Sequence, residues 1–357
     1  MPNTKKYKTI KDPRVDDVRL MVKTDKTRHV SPVKMSEVAR LADVSLMTVS
    51  RALNSPEKLS PETLRKVLDV VAETGYVPNL TAGSLRSAKT RLIAVFTPYF
   101  SGHFAEMIQT VSEALTSKGY QVILGQTEYS TLREADLVQA IIGRRPDGII
   151  VTGVEHSPET RSLLIQSRIP VVETWDLTPT PIDMLVGFSH EEISSAVCNF
   201  LVARGRKNIA LISNNDPRAL RRNEAFLATA RKIGLETPVV KSMPFPLTHG
   251  KARTAFAELL AEYSKMDAVY CSSDVGAMGV LTEAQVRGIA IPGDLAVVGT
   301  GDFDFAATLH PSLTTVRLGG AIVGAKAAQF ILDRVEGREV VNKIVKVGIS
   351  IIERQSS

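Results

Sequence analysis

The sequence predicts a small all-α helix-turn-helix domain followed by a two-lobed α/β body built on parallel, doubly wound sheets. Three observations predict it. Positive charge is confined to the N-terminal quarter: residues 1–90 hold 17 Lys and Arg against 10 Asp and Glu, a net +7, whereas the other 267 of the 357 residues hold 27 against 28, a net −1. Apolar residues in 33–76 recur at helical spacing, and after Thr90 the pattern changes to short apolar strands alternating with amphipathic helices. With 44% apolar residues the remaining chain is long enough for two packed lobes. A small basic module ahead of a near-neutral body is the layout of a polyanion-binding domain joined to one with a different task.

Residues 1–31 mix Lys5, Lys6, Lys8, Lys11, Arg14, Arg19, Lys23 and Lys26 with Asp12, Asp16, Asp17 and Asp25 and show no hydrophobic period, so this basic tail is expected to be disordered. Met21 and Met35 are alternative starts. The basic beginning leads into no apolar run of the roughly 18 residues that a membrane span needs, which favours a cytoplasmic protein without membrane contact. The two cysteines, Cys198 and Cys271, have no metal-cluster spacing and read as buried thiols of a reducing compartment.

The domain expected over 32–78 begins with Met35, Val38, Ala39 and Ala42 at helical spacing. After Asp43 and Val44 a second helix starts at Ser45 as its N-cap, because a serine hydroxyl accepts from the unsatisfied amides of a first turn. Val49, Ala52 and Leu53 share one face of it, while Leu46, Met47, Ser50 and Arg51 share the other. Ser60-Pro61-Glu62 announces a third helix, which runs through Leu64, Val67, Leu68 and Val71 to a stop at Gly75. A helix of this kind fits the major groove of B-DNA, where an arginine can donate two hydrogen bonds to guanine and aliphatic tips can meet thymine methyls. Arg51 is the best guanine reader, Leu46 and Met47 are candidates for apolar base contact, and Ser45, Thr48 and Ser50 are phosphate donors that fix register. An ordinary helical hairpin with two exposed aliphatics is the alternative.

The run Val38-Ala39-Arg40-Leu41-Ala42-Asp43-Val44-Ser45, then Thr48-Val49-Ser50-Arg51-Ala52-Leu53-Asn54, Leu64-Arg65-Lys66-Val67 and Gly75-Tyr76-Val77-Pro78-Asn79 resembles the DNA-binding domain of the lactose-repressor (LacI/GalR) family. Asp43 departs from the usual turn glycine, a mild change because Asp tolerates left-handed backbone, and Lys34 stands where a Thr or Ser cap is common. Residues 79–90, with Ala82, Gly83 and Leu85, are too short and too glycine-weakened to hold a helix alone. The resemblance makes them a hinge helix that folds on operator DNA, with Ala82 and Leu85 at the minor groove and the leucines of two subunits wedged into the centre of a palindrome.

Strands are expected at 92–96, 122–124, 148–152, 171–173, 209–212, 268–271 and 296–298, with helices such as 104–117 and 191–204 between them. Such folds bind ligands beyond the carboxyl ends of their strands. Arg145-Pro146-Asp147-Gly148-Ile149-Ile150, Ile169-Pro170-Val171-Val172, Ser273-Asp274 and the run from His310 to Arg317 resemble the periplasmic-binding-protein-like core of the same family. That resemblance implies a homodimer and an effector pocket between lobe 1 (about 91–188 and 299–333) and lobe 2 (about 189–298 and 334–357).

Carried over position by position, the resemblance builds the pocket from the first loop, where His103 or Phe104 enters, the strand end with Glu173 and Trp175, and Arg222, Phe245, Ser273 and Asp302. Three of these have plainer alternatives: Glu173 as the holder of a loop, Trp175 as lobe core, Arg222 as a surface arginine beside Arg221. Gly301 stands where sugar-binding members usually place an aspartate, so retention of Arg222 favours a carboxylate ligand through a charge-assisted bidentate pair. Residues 145–210, including His156-Ser157-Pro158 and Val186-Gly187-Phe188, resemble the gluconate-operon repressors within the family, which implies a sugar acid, gluconate or a ketogluconate. A neutral sugar, or a sugar-binding transport role for the body, is the competing reading.

Enzyme readings fare poorly. Gly299-Thr300-Gly301 is half a dinucleotide fingerprint, but Asp304 stands at its third glycine. No phosphate-binding GxxxxGK loop occurs, and the six histidines form no metal-ligand pair, so neither a cofactor nor a metal is expected.

Overall fold

The computed structural model describes residues 33–77 and 89–357, which fall into a helical unit and an α/β unit. The expected basic tail and the hinge positions Ala82 and Leu85 lie outside the described residues.

In the helical unit α1 (Met35–Leu41) starts at Lys34 without a side-chain cap. Asp43 takes the turn at φ +48°, the left-handed region that an aspartate tolerates. The α2 helix (Leu46–Asn54) is capped by Ser45, whose hydroxyl accepts from the Thr48 amide at 3.1 Å. The α3 helix (Pro61–Thr74) is capped by Ser60, carries Pro61 in its first turn and ends at Gly75 with φ +62°. Val38, Ala39 and Ala42 of the first helix and turn, Val49 and Ala52 of α2, Val67 of α3 and Tyr76 form one buried core. This small core holds α2 with its other face outward.

The α/β unit contains two six-stranded sheets. Its first lobe is built from β1 (Leu92–Thr97), α4 (His103–Thr116), β2 (Gln121–Gln126), α5 (Thr131–Ile142), β3 (Gly148–Thr152), α6 (Pro158–Ser167), β4 (Val171–Thr174) and β5 (Met184–Gly187). The second comprises α7 (His190–Ala203), β6 (Ile209–Asn214), α8 (Pro217–Lys232), β7 (Val239–Met243), α9 (His249–Glu262), β8 (Ala268–Cys271), α10 (Asp274–Val286), β9 (Ala296–Thr300) and β10 (Thr314–Arg317). The chain then returns to lobe 1 through α11 (Gly320–Val335) and β11 (Ile344–Lys346) and ends in lobe 2 with β12 (Ser350–Ile352). Strand orders are β11-β5-β4-β3-β1-β2 and β12-β10-β9-β8-β6-β7, all neighbours parallel except β10 with β12. In each sheet the order reverses beside the first strand, β1 or β6, and the loops leaving its carboxyl end diverge to open a crevice.

The lobe boundaries expected from the sequence need correction. Residues 299–317 belong to lobe 2, because β9 pairs in parallel with β8 and β10 extends the same sheet. Only α11 of the segment 299–333 lies on lobe 1, packed against α4. Likewise β11, expected in lobe 2, pairs with β5 in lobe 1. The chain therefore passes between lobes near residues 188, 318 and 348. Sequence patterning missed β5, β7, β10, β11 and β12.

Asp147 explains one sequence motif. Its carboxylate accepts from the amides of Thr90 and Arg91, both at 2.9 Å, and so pins the start of β1 to the turn before β3.

Candidate functional site

A cavity of about 960 Å³ opens between the carboxyl ends of the two sheets. Loops after β1, β2 and β4 bring Tyr99, His103, Tyr129 and Trp175 from lobe 1. From lobe 2, loops after β6, β7, β8 and β9 and the first turns of α8 bring Asn214, Arg218, Arg222, Phe245, Ser273 and Phe303. Tyr99, Tyr129 and Phe245 pack with ring centroids 4.8 to 6.2 Å apart, an aromatic contact that spans the lobes.

Arg218 and Arg222 lie one turn apart on α8, on the side that faces the cavity. The Arg222 Nη1 lies 3.1 Å from His190 Nδ1. A guanidinium has only donors, so this imidazole nitrogen accepts and His190 is neutral. Burial and the charges of Arg222, Arg218 and Arg221 hold the pKa of His190 far below the ordinary range. His103 is also neutral, its pKa lowered to about 3 by burial and then by Arg218 and Arg222. Arg218 lies over the rings of Phe104 at 5.6 Å and Tyr129 at 4.6 Å, reaching from lobe 2 to lobe 1. Arg221 faces differently and forms an inter-lobe ion pair with buried Asp176.

Three carboxylates near the arginines already accept hydrogen bonds. Asp216 caps α8 by accepting from the Ala219 amide. Asp302 accepts from Arg317 at 2.6 Å and Arg354 at 2.7 Å. Asp274, beneath the loop after β9, accepts from the Phe303 amide at 2.8 Å and the Thr315 hydroxyl at 2.5 Å. Burial raises its pKa to about 6 against those hydrogen bonds. Gly301 sits at φ +134°, and a Cβ there would lie 2.8 Å from the Phe303 ring, which fills the space a side chain at 301 would need.

On the helical unit, Leu46 and Met47 are 53% and 52% exposed and Arg51 is exposed beside them, opposite buried Val49 and Ala52. Ser45 and Thr48 share a hydroxyl contact at 2.9 Å that fixes the first turn of this outer face.

The family model described as bacterial regulatory proteins, lacI family, matches residues 34–79, and that of the periplasmic binding protein-like domain matches 198–357. The HTH-type transcriptional regulator GntR of Pseudomonas aeruginosa is 33% identical over 341 residues, 94% of this chain and 99% of the relative. This chain belongs to the LacI family of transcriptional regulators. The regulator GntR of Escherichia coli K12 is 28% identical, with 89% of this chain and 96% of the relative covered. Among solved structures, a LacI-family regulator from Silicibacter pomeroyi gives a TM-score of 0.85 at 29% identity, covering 91% of this chain and 99% of its own. The lac repressor dimer bound to operator and the anti-inducer ONPF shares the fold, with a TM-score of 0.78 at 21% identity over 91% of this chain and 99% of that one. As a LacI-family member the chain is a DNA-binding regulator with a ligand-binding domain.

Within this LacI-family body the residues expected in the pocket divide into three groups. His103, Arg222, Phe245 and Ser273 line the cavity, with the Ser273 hydroxyl also capping α10 by accepting from the Gly276 amide. Phe104 and Trp175 touch it from the core: Trp175 is 1% exposed, donates to Met107 Sδ at 2.9 Å and has its ring against His103 and Phe104, so no open stacking face remains. Glu173 needs correction. Glu173 is fully buried away from the cavity, accepting from the Ile182 amide at 2.5 Å and lying 3.4 Å from His156 Nε2. Asp302 lines the cavity as expected, and its two oxygens also accept from Arg317 and Arg354, which anchors it to the strand ends. Sequence reasoning missed Arg218, Tyr129, His190 and Phe303. The signal for Arg218 was present in its i, i+4 spacing to Arg222.

Proposed function

We propose that this LacI-family regulator is an operator-binding repressor whose effector is a sugar acid, gluconate or a ketogluconate, held between the lobes. The observation that carries the effector class is Arg222, whose Nε has no hydrogen-bond partner, beside a cavity in which Asp216 and Asp302 are already engaged and position 301 is a glycine. A carboxylate gives that guanidinium an acceptor together with a compensating charge, whereas a neutral sugar gives acceptors alone. Resemblance to gluconate-operon repressors between residues 145 and 210 supports the same class. His103, Phe245 and Ser273 then meet the polyol chain.

The protein acts in the cytoplasm as a homodimer on palindromic double-stranded DNA. Two helical domains occupy half-sites, with Arg51, Leu46 and Met47 at base edges and Ser45, Thr48 and Ser50 at phosphates. Ala82 and Leu85 enter the minor groove between them. Effector binding shifts the lobes between two arrangements, only one of which suits the operator, and by linkage operator DNA changes effector affinity by the same factor.

Fluorescence anisotropy on a labelled palindrome from the gene's own upstream region, at stated salt and with or without gluconate, tests this reading. Tight binding that gluconate or a ketogluconate alters supports it. A response to neutral hexoses alone rejects the sugar acid. In the same assay Arg51→Ala weakens binding by about 1 to 3 kcal/mol and relaxes one base position; equal loss on every sequence removes Arg51 from base reading.

A further inference from the structure

Arg218 is 91% removed from solvent, and its Nη2 is buried without a hydrogen-bond partner. A buried guanidinium left in that state is strongly unfavourable unless something else completes it. The two aromatic rings over which it lies compensate the charge only in part, because the cation–π contact leaves Nη2 without an acceptor among the described residues. Arg222, one turn further along α8, has a second buried, unpartnered donor in Nε while its Nη1 is held by His190. Residues four apart on a helix have side chains about 5 to 6 Å apart at their bases, so both guanidiniums can converge on a single anion. Among the described residues no carboxylate that lines the cavity pairs with either guanidinium: Asp216 accepts from the Ala219 amide, Asp302 is held by two other arginines, and Glu106 and Asp304 form no ion pair with Arg218 or Arg222, while His103 and His190 are neutral.

We propose that Arg218 and Arg222 form a two-guanidinium clamp for the ligand's carboxylate, with Arg218 the specificity-determining partner that also ties the bound anion to lobe 1. The proposal rests on the sugar-acid reading for the identity of the ligand and not for the existence of the clamp. Arg222 approaches the anion from the second lobe alone. Arg218 touches Phe104 and Tyr129 of the first lobe, so an anion on its free donors is joined through one side chain to both walls.

The test uses calorimetry and thermal melting on the full chain, comparing wild type, Arg218→Met and Arg218→Lys against gluconate, 2-ketogluconate, sorbitol as the polyol without a carboxylate, and sulfate as a bare anion. Wild type is expected to bind a sugar acid far more tightly than sorbitol. Arg218→Met should lose about thirty- to a hundredfold for the acid, with no loss for sorbitol. Without ligand Arg218→Met should melt no lower than wild type, since an apolar chain replaces an incompletely paired charge. Arg218→Lys keeps the charge but loses the planar fork and should fall about tenfold for the acid. If both variants bind the acid as wild type does, the clamp is wrong and the sugar-acid reading survives. If wild type ignores every sugar acid yet sulfate raises its melting temperature and not that of Arg218→Met, the clamp stands and the sugar-acid reading falls. Indifference to sulfate as well overturns both. Should Arg218→Met fail to fold, wild-type acid affinity in Arg218→Lys overturns the clamp.

Discussion

The two walls of the inter-lobe cavity differ in kind. Lobe 1 contributes rings, Tyr99, Phe104, Tyr129 and the neutral imidazole of His103, backed by the buried indole of Trp175. Lobe 2 also brings rings, Phe245 and Phe303, but it alone adds the cations Arg218 and Arg222, with the Ser273 hydroxyl beside them. Rings shape a cavity and exclude water but distinguish ligands weakly, whereas guanidiniums with unfilled donors select for negative charge. A ligand can therefore dock on lobe 2 by its charge and draw lobe 1 over itself by apolar contact. Asp176 and Arg221 form an ion pair across the same cleft, so the described arrangement has an inter-lobe tie of its own.

Breaking the charged wall should have the largest effect. Arg222→Met is expected to lower sugar-acid affinity by about a hundredfold or more and to abolish the effector-dependent change in operator affinity, measured by anisotropy. A surviving response would place the ligand's anion elsewhere. The aromatic wall should matter less and less selectively. Tyr129→Leu removes the ring under Arg218 and should weaken acid binding by roughly 1 kcal/mol, about fivefold, in calorimetry. A loss as large as that of Arg222→Met would mean that the rings, not the cations, dominate.

The smallest effect on ligand belongs to lobe 1 behind its rings, where His156 lies between Glu134 at 2.6 Å and Glu173 at 3.4 Å. Burial alone would lower its pKa, but the hydrogen bond to Glu134 and the nearby Glu173 carboxylate together outweigh burial and raise it to about 9. Between about pH 6.5 and 9 the folded protein keeps a proton that the unfolded chain has lost. The stabilisation is thus fully present below about pH 6.5 and disappears as pH rises through 9. His156→Gln should flatten this part of the melting profile and leave acid affinity within about twofold. An unchanged profile would show that the imidazole is neutral in the folded state.

The helical unit was largely legible from sequence, since each of its signals is local. Ser45 and Ser60 cap the helices they precede, Gly75 ends α3, and Val49 and Ala52 turn inward while Leu46, Met47 and Arg51 turn outward. In the cavity, legibility was partial. Arg222, Phe245, Ser273 and Asp302 fall at its lining, but no sequence pattern shows that Glu173 is buried behind a loop or that Asp302 is held by two arginines. Their partners Ile182, Arg317 and Arg354 come from other loops and strand ends, and a pairing of this kind leaves no periodic trace.

By itself the sequence determined the charge division, the helical core and its outer face, and the alternation that builds two parallel sheets, because capping and amphipathic periodicity act over a few residues. Tertiary structure decided which lobe each late segment joins, that Arg218 and Arg222 of α8 face the cavity while Arg221 pairs with Asp176, and how Phe303 occupies the space beside Gly301. Those outcomes depend on strand ends far apart in the chain meeting at one crevice, where burial and unfilled hydrogen bonds are properties of the assembled walls and of no single segment.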